Sequence, residues 1–260
     1  MDMPKVDQHP QIEVLDIDML RPMHWIAQAW HDMERSPKAG AAHGLILALV
    51  GLFLFWFARH NFWWIAGMLS VCMIVAPLLA VGLYDISRRL ERGLPASSRY
   101  ALSIWKSGDR RLVHFGLLLA LSSAGWLICS AALIHAMMPA AAQTPAEFIR
   151  LVVLQPKVGL FEVWVLLSAF IAAPMFASTV VTIPLLMDHP TLSVWQAVST
   201  SWRVVAKNPF AMACWASFLC LFTMLGIGSA FIGLIAVVPM LGHASWHAYR
   251  DLVVYDPEAH

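Results

Sequence analysis

The chain has 260 residues, of which 60% are apolar and 13% charged, with a net charge of +1 and a mean hydropathy of +0.68. That balance excludes a soluble domain and predicts a polytopic membrane protein. Its four cysteines, Cys72, Cys129, Cys214 and Cys220, all fall in apolar stretches without a CxxC pair. They read as reduced packing residues rather than disulfides or metal ligands.

Residues 1–20 carry Asp2, Asp7, Glu13, Asp16 and Asp18 against Lys5 alone, the reverse of a basic leader, and read as an acidic mobile tail. The membrane domain is expected over 21–254. It opens with an amphipathic helix in which Met23, Ile26, Ala27, Trp30 and Met33 recur at helical spacing. Gln28, His31, Asp32 and Arg35 lie opposite, and Ser36-Pro37 ends the helix. Trp25 and Trp30 suit it to the headgroup layer.

Six spans follow, at about 39–58, 62–84, 112–138, 158–187, 210–225 and 229–246. Trp56, Trp63 and Trp64 form an aromatic belt at the first turn. A surface helix is expected at 97–106 and a short interfacial one at 146–154. A clearer amphipathic helix runs over 192–206, with Trp195, Val198, Trp202, Val205 and Ala206 on one face and Gln196, Thr200 and Arg203 opposite. Residues 255–260 are a short polar tail. Segments on the side of the termini hold about fourteen Lys and Arg and the opposite loops about three, which places both termini in the cytoplasm.

The first and last thirds match. Trp30 precedes Ser36-Pro37 as Trp202 precedes Asn208-Pro209, and Ala76-Pro77 aligns with Val238-Pro239. Counting on from each proline pairs Asp85 with His247 and Arg88 with Arg250; Ala173-Pro174 supplies a weaker middle copy. The expected fold is all-α: six helices as three repeated hairpins about an axis along the membrane normal, each opened by a cytoplasmic surface helix.

A surface helix ending in Ser-Pro or Asn-Pro, then APLLAVGLYDISRRLERG, then VVPMLGHASWHAYRDLV, resembles a family of bacterial integral membrane proteins of unknown function. The resemblance covers roughly residues 21–254, and some members carry the label cytochrome c oxidase subunit I. It implies a six-span bacterial inner-membrane protein and no particular activity.

Several side chains are candidates for chemistry. His243 and His247 stand at i, i+4, the spacing of a two-histidine metal or haem-iron site, with His43 and His114 at comparable depth. The plainer reading is interfacial histidines bonded to backbone or headgroups. Glu162, a turn past Lys157, is an ion or proton relay candidate that sits where water reaches it. Asp85, Arg88, His247 and Arg250 are expected to form a cytoplasmic polar network between hairpins. Pro77, Pro174 and Pro239 bend their helices, and would line a cavity if they converged on the axis. Arg88, Arg89, Arg92, Arg99, Lys106, Arg110 and Arg111 set topology and can hold anionic lipid, at about 1 kcal/mol each.

No nucleotide loop, nucleophile elbow, HExxH or carboxylate pair occurs, no motif names a cofactor, and the basic charge needed at the membrane argues against nucleic acid. The sequence therefore favours a non-enzymatic structural or accessory membrane protein organising lipid or a partner complex. A small-solute or ion transporter comes second, and a metal- or haem-binding redox protein third.

Overall fold

The computed structural model describes residues 11–58, 64, 67–68, 76, 78–97, 108–137, 144–154 and 159–256. Most of the second expected span, with Pro77 and Cys72, lies outside them, as do Arg99, Lys106, Lys157 and most of the surface helix at 97–106.

In chain order the elements are β1 (Gln11–Val14), α1 (Arg21–Arg35), α2 (Pro37–Ala58), α3 (Val81–Glu91), α4 (Arg110–Met137), α5 (Pro145–Phe148), a π-helical turn (Ile149–Val153) and α6 (Leu160–Thr179). Next come α7 (Thr182–Asp188), α8 (Val194–Lys207), α9 (Pro209–Gly228), α10 (Leu234–Leu252) and β2 (Val253–Asp256). The architecture is all-α apart from one antiparallel ribbon, in which Gln11 faces Asp256 and Val14 faces Val253.

Among the described residues four helical stretches are long and apolar enough to cross a bilayer: Pro37–Phe57, Arg110–Met137, Leu160–Asp188 and Pro209–Gly228. Their outward side chains, such as Leu45, Phe53, Leu121, Leu166 and Phe170, stay exposed, as a lipid-facing surface requires. The stretch expected as a sixth span differs. Residues 229–233 form turns, and α10 runs on to Leu252 with His243, Ser245, His247, Arg250 and Asp251 in its second half. Those side chains make α10 less apolar than the four.

The central element is α10, which packs against α1, α2, α3 and α9. Its seam with α2 is built on glycine. A Cβ at Gly44 would lie 2.4 Å from the Ile235 carbonyl oxygen, and one at Gly40 would lie 3.1 Å from the Pro239 Cβ. Gly40 and Gly44 form a GxxxG pair, so the two backbones meet closely, and dispersion across the contact holds helices that no hydrophobic effect drives together in lipid. Below the seam Trp25 of α1 is fully buried and meets Trp215 of α9 edge to face at 5.5 Å.

Two expectations about the surface layer change. Residues 11–20, read as tail, are partly a strand. Asn208 accepts from the Ile17 amide at 2.9 Å and donates to the Leu15 carbonyl at 2.9 Å, and Lys207 donates to the Val14 carbonyl at 2.7 Å. Backbone pairing and these side-chain bonds supply what the segment's acidic composition concealed.

The second change concerns which face of the amphipathic helices points inward. In α1 the buried stripe is Pro22, Trp25, Ala29 and Asp32, and in α8 it is Ala197, Thr200, Ser201 and Val204. Met23 and Trp30, and Trp195 and Trp202, point outward instead. Each helix thus has three faces: a small or polar stripe on the protein, an apolar stripe outward, and a polar stripe.

Candidate functional site

At the end of the bundle that carries the ribbon, α1, α3 and α10 enclose a chain of polar side chains. Asp32 sits on the inward stripe of α1, two turns after Trp25, and Ser36 ends that helix by donating its hydroxyl to the Asp32 carbonyl at 2.9 Å. Ser87 Oγ lies 2.7 Å from Asp32 Oδ2 and 2.7 Å from His243 Nδ1. His247 Nε2 reaches the same Asp32 oxygen at 2.8 Å. Asp32, Ser87 and His243 are all buried.

Proton counting orders this chain. Burial works to raise the Asp32 carboxyl, but the hydrogen bonds from His247 and Ser87 outweigh it and hold the group below its ordinary value. An ionised Asp32 accepts only, so the single Ser87 hydroxyl proton points to it. His243 must then donate to Ser87 from Nδ1, which leaves its Nε2 as a bare lone pair. That nitrogen is buried and meets no hydrogen-bond partner among the described residues; a Cβ at Gly40 would lie 3.9 Å from it.

A second network ties the helix ends together. Asp85, buried on α3, receives Arg88 at 2.6 Å and Arg89 at 2.7 Å, one turn on along the same helix. Arg88 also donates to the Met187 carbonyl at 3.0 Å. Arg111, at the start of α4, donates to the carbonyls of Leu186, His189 and Leu192. Both guanidinium groups thereby satisfy carbonyls at the C-terminal end of α7, where the helix dipole favours cations. Asp188 pairs with Arg92 at 2.8 Å and accepts from the Tyr249 hydroxyl at 3.2 Å. Glu91 receives Arg250 at 3.0 Å and the Trp246 indole at 3.1 Å. On the other side of α10, Asp251 takes Arg21 at 2.6 Å and the Trp25 indole at 2.7 Å.

The four residues expected as one network, Asp85, Arg88, His247 and Arg250, fall into three separate pairings. Asp85 and Arg88 pair within α3, Arg250 crosses to Glu91, and His247 crosses to Asp32. His243 and His247 direct ring nitrogens at Ser87 and Asp32 rather than at a shared point. His43 bonds its own Ala39 carbonyl at 2.9 Å, and His114 is exposed. Among the described residues no three His, Cys, Asp or Glu side chains gather closely enough to hold a metal ion.

Glu162 accepts from the Gly159 amide at 3.1 Å, capping the start of α6 at an exposed position. Pro174 and Pro239 lie inside α6 and α10, and Pro239 is buried at the glycine seam. Of the described basic run, Arg88, Arg89, Arg92 and Arg111 are engaged within the protein, and Arg110 is left for solvent or headgroups. Sequence reasoning missed Asp32 and Ser87 as inward-facing groups; the signal available was Trp25, Ala29 and Asp32 at i, i+4, i+7.

Residues 64–188 match a family described as predicted integral membrane protein (DUF2189). The chain is an integral membrane protein. Among the described elements the match takes in α3 to α7, and it places the chain's likeness among membrane proteins of unknown function. No curated protein and no solved structure matches it.

Proposed function

We propose that the protein is a non-enzymatic structural or accessory component of a bacterial inner membrane that organises lipid or a partner complex at the bilayer surface. The observation that carries this reading is the matched outward stripe on α1 and α8. Met23 and Trp30 on one helix, and Trp195 and Trp202 on the other, remain exposed while a different stripe holds the core. Apolar and aromatic side chains kept out of the core beside polar faces suit the headgroup–acyl boundary. Spin labels at positions 23 and 202 test it in reconstituted bilayers. They are expected to be accessible to oxygen and shielded from a water-soluble nickel chelate, with labels at 28 and 203 reversed. Chelate access at all four positions overturns the reading.

The three-hairpin, six-span arrangement is supported by where chain segments meet. The chain leaves α1 through α2 and is beside α1 again at Ser87. Arg111 at the start of α4 touches the residues that end α7, and α10 returns past α9 to bring Asp251 to Arg21. The pairing of residues 11–14 with 253–256 supports a shared side for the two segments, and the charge asymmetry supports a cytoplasmic one.

Small-solute or ion transport is the second reading, favoured by the buried Asp32–Ser87–His243 chain and the unpartnered His243 Nε2 beside Pro239. Flux in sealed vesicles that disappears in His243→Gln would support it, and flux unchanged by that substitution would exclude this path.

A further inference from the structure

A cleft of about 480 Å³ lies between α1, the end of α3 and α10. One wall is a ridge on α1, Arg21, His24, Gln28, His31 and Arg35, spaced three and four residues apart and so aligned along one helix face. The other wall contains His247 and Glu91.

The ridge is rich in unused donors. His24, Gln28 and Arg35 meet no hydrogen-bond or ion-pair partner among the described residues, and all three are exposed. Arg21 commits Nε and one terminal nitrogen to Asp251, leaving the other without a partner among the described residues. Three of the four carboxylate oxygens in the cleft have partners among the described residues. Asp32 Oδ2 takes Ser87 and His247, and the two Glu91 oxygens take Arg250 and Trp246. The α1 ridge therefore presents unpaired donors and the Arg35 charge while most of the cleft's carboxylate oxygens are committed, the inverse of a cation site.

Shape narrows the ligand. From Arg21 to Arg35 the ridge rises about 21 Å, longer than one phosphate or carboxylate can engage. The only aromatic rings in the lining are the small imidazoles of His24, His31 and His247; no Trp, Tyr or Phe offers a broad face to a nucleobase. Extended, several times charged and without a ring is the chemistry of linked phosphates, which forked guanidinium groups bind well.

We propose that this cleft binds a water-soluble oligophosphate. The choice of a soluble over a lipid phosphate rests on the bilayer contact proposed above: the outward stripe of α1, Met23 and Trp30, lies across the helix from the ridge, which turns the cleft toward water.

The test uses the full chain in nanodiscs of phosphatidylcholine, titrated calorimetrically with inorganic triphosphate. Saturable binding is expected, weakened about tenfold or more in the double variant Arg35→Gln with His24→Gln, as the loss of two charge-assisted or polar contacts implies. Arg110→Gln, an exposed arginine away from the cleft, is expected to change nothing. No saturable binding to the wild-type chain overturns the proposal, as does equal binding by the double variant or equal weakening by Arg110→Gln. A cleft that fails to take triphosphate yet raises retention on phosphatidylglycerol vesicles, lost in the double variant, is a lipid site, and the proposal fails. Trp30→Ser separates the two readings: it is expected to weaken bilayer contact while leaving triphosphate affinity within about twofold.

Discussion

Asp32 receives two hydrogen bonds on one oxygen, and everything else in the buried chain follows from its being ionised. Removing the Ser87 hydroxyl breaks the connection to His243 and leaves a buried imidazole N–H without an acceptor. Ser87→Ala is expected to cost about 1–3 kcal/mol of stability, read from unfolding in mild detergent, and a change under about 0.3 kcal/mol would mean that the hydroxyl does not hold the site. The tautomer is a separate readout. Nitrogen NMR of histidine-labelled protein should show His243 protonated at Nδ1 in the wild type, and an Nε2–H tautomer there would reverse the direction of the chain.

Acid should unpick the same region. Burial opposes ionisation of Asp32 and Asp251, but hydrogen bonds from His247 and Ser87 to the first, and from Arg21 and Trp25 to the second, lower both. Each binds its proton more weakly when folded. The stability it contributes is complete above the unfolded value of about 3.9 and lost as pH falls through the lower folded value. His189 works in the same sense at higher pH, since burial holds its imidazole below the ordinary value. Its contribution is complete above about 6.5 and falls as pH drops through the folded value. Thermal stability should therefore decline in two stages on acidification, with the lower stage reduced in Asp32→Asn.

At the scale of elements the close seam between α2 and α10 decides the packing. A methyl group at Gly44 would collide with the backbone of Ile235, which no side-chain rotation can relieve. Gly44→Ala is expected to destabilise by about 2 kcal/mol or more. Gly125, on the lipid-facing α4 with nothing near its Cβ position, is the internal control: Gly125→Ala should be neutral or stabilising by up to about 1 kcal/mol. Equal effects in thermal melts would argue against the seam.

The two helices also show what the sequence made legible. The four long apolar helices, the amphipathic helices α1 and α8 and the breaks at Ser36-Pro37 and Asn208-Pro209 followed from apolar runs and proline, because lipid leaves few alternatives. The inward face did not. Periodicity locates the largest apolar stripe, yet in α1 and α8 its Met23, Trp30, Trp195 and Trp202 point out, and small or polar residues such as Ala29, Ser201 and Thr200 face the core. A bilayer is itself an apolar solvent, so hydrophobicity distinguishes lipid from water but not lipid from protein. The candidate site was only half legible for the same reason: His243 and His247 stood out by spacing, whereas Asp32 looked like surface and Ser87 carried no signal of its own.

On the whole molecule, the ribbon of β1 and β2 joins the two ends of the chain and constrains every crossing between them. If residues 11–14 and 253–256 pair outside the membrane, an even number of spans must separate them. Ile12 and Tyr255 face each other in the ribbon. The double variant Ile12→Cys with Tyr255→Cys, in a chain with its four native cysteines replaced, should therefore form an intramolecular disulfide on mild oxidation, since paired strand positions fall within bonding reach. Moving the first cysteine to Asp18, beyond the ribbon, should abolish the cross-link. Before oxidation both cysteines should react with an impermeant maleimide from the same side of sealed vesicles, which the positive-inside asymmetry predicts to be the cytoplasmic one. Labelling of the two positions from opposite sides would require an odd number of crossings and would break the ribbon, the pairing of hairpins and the shared site of α1, α3 and α10 together.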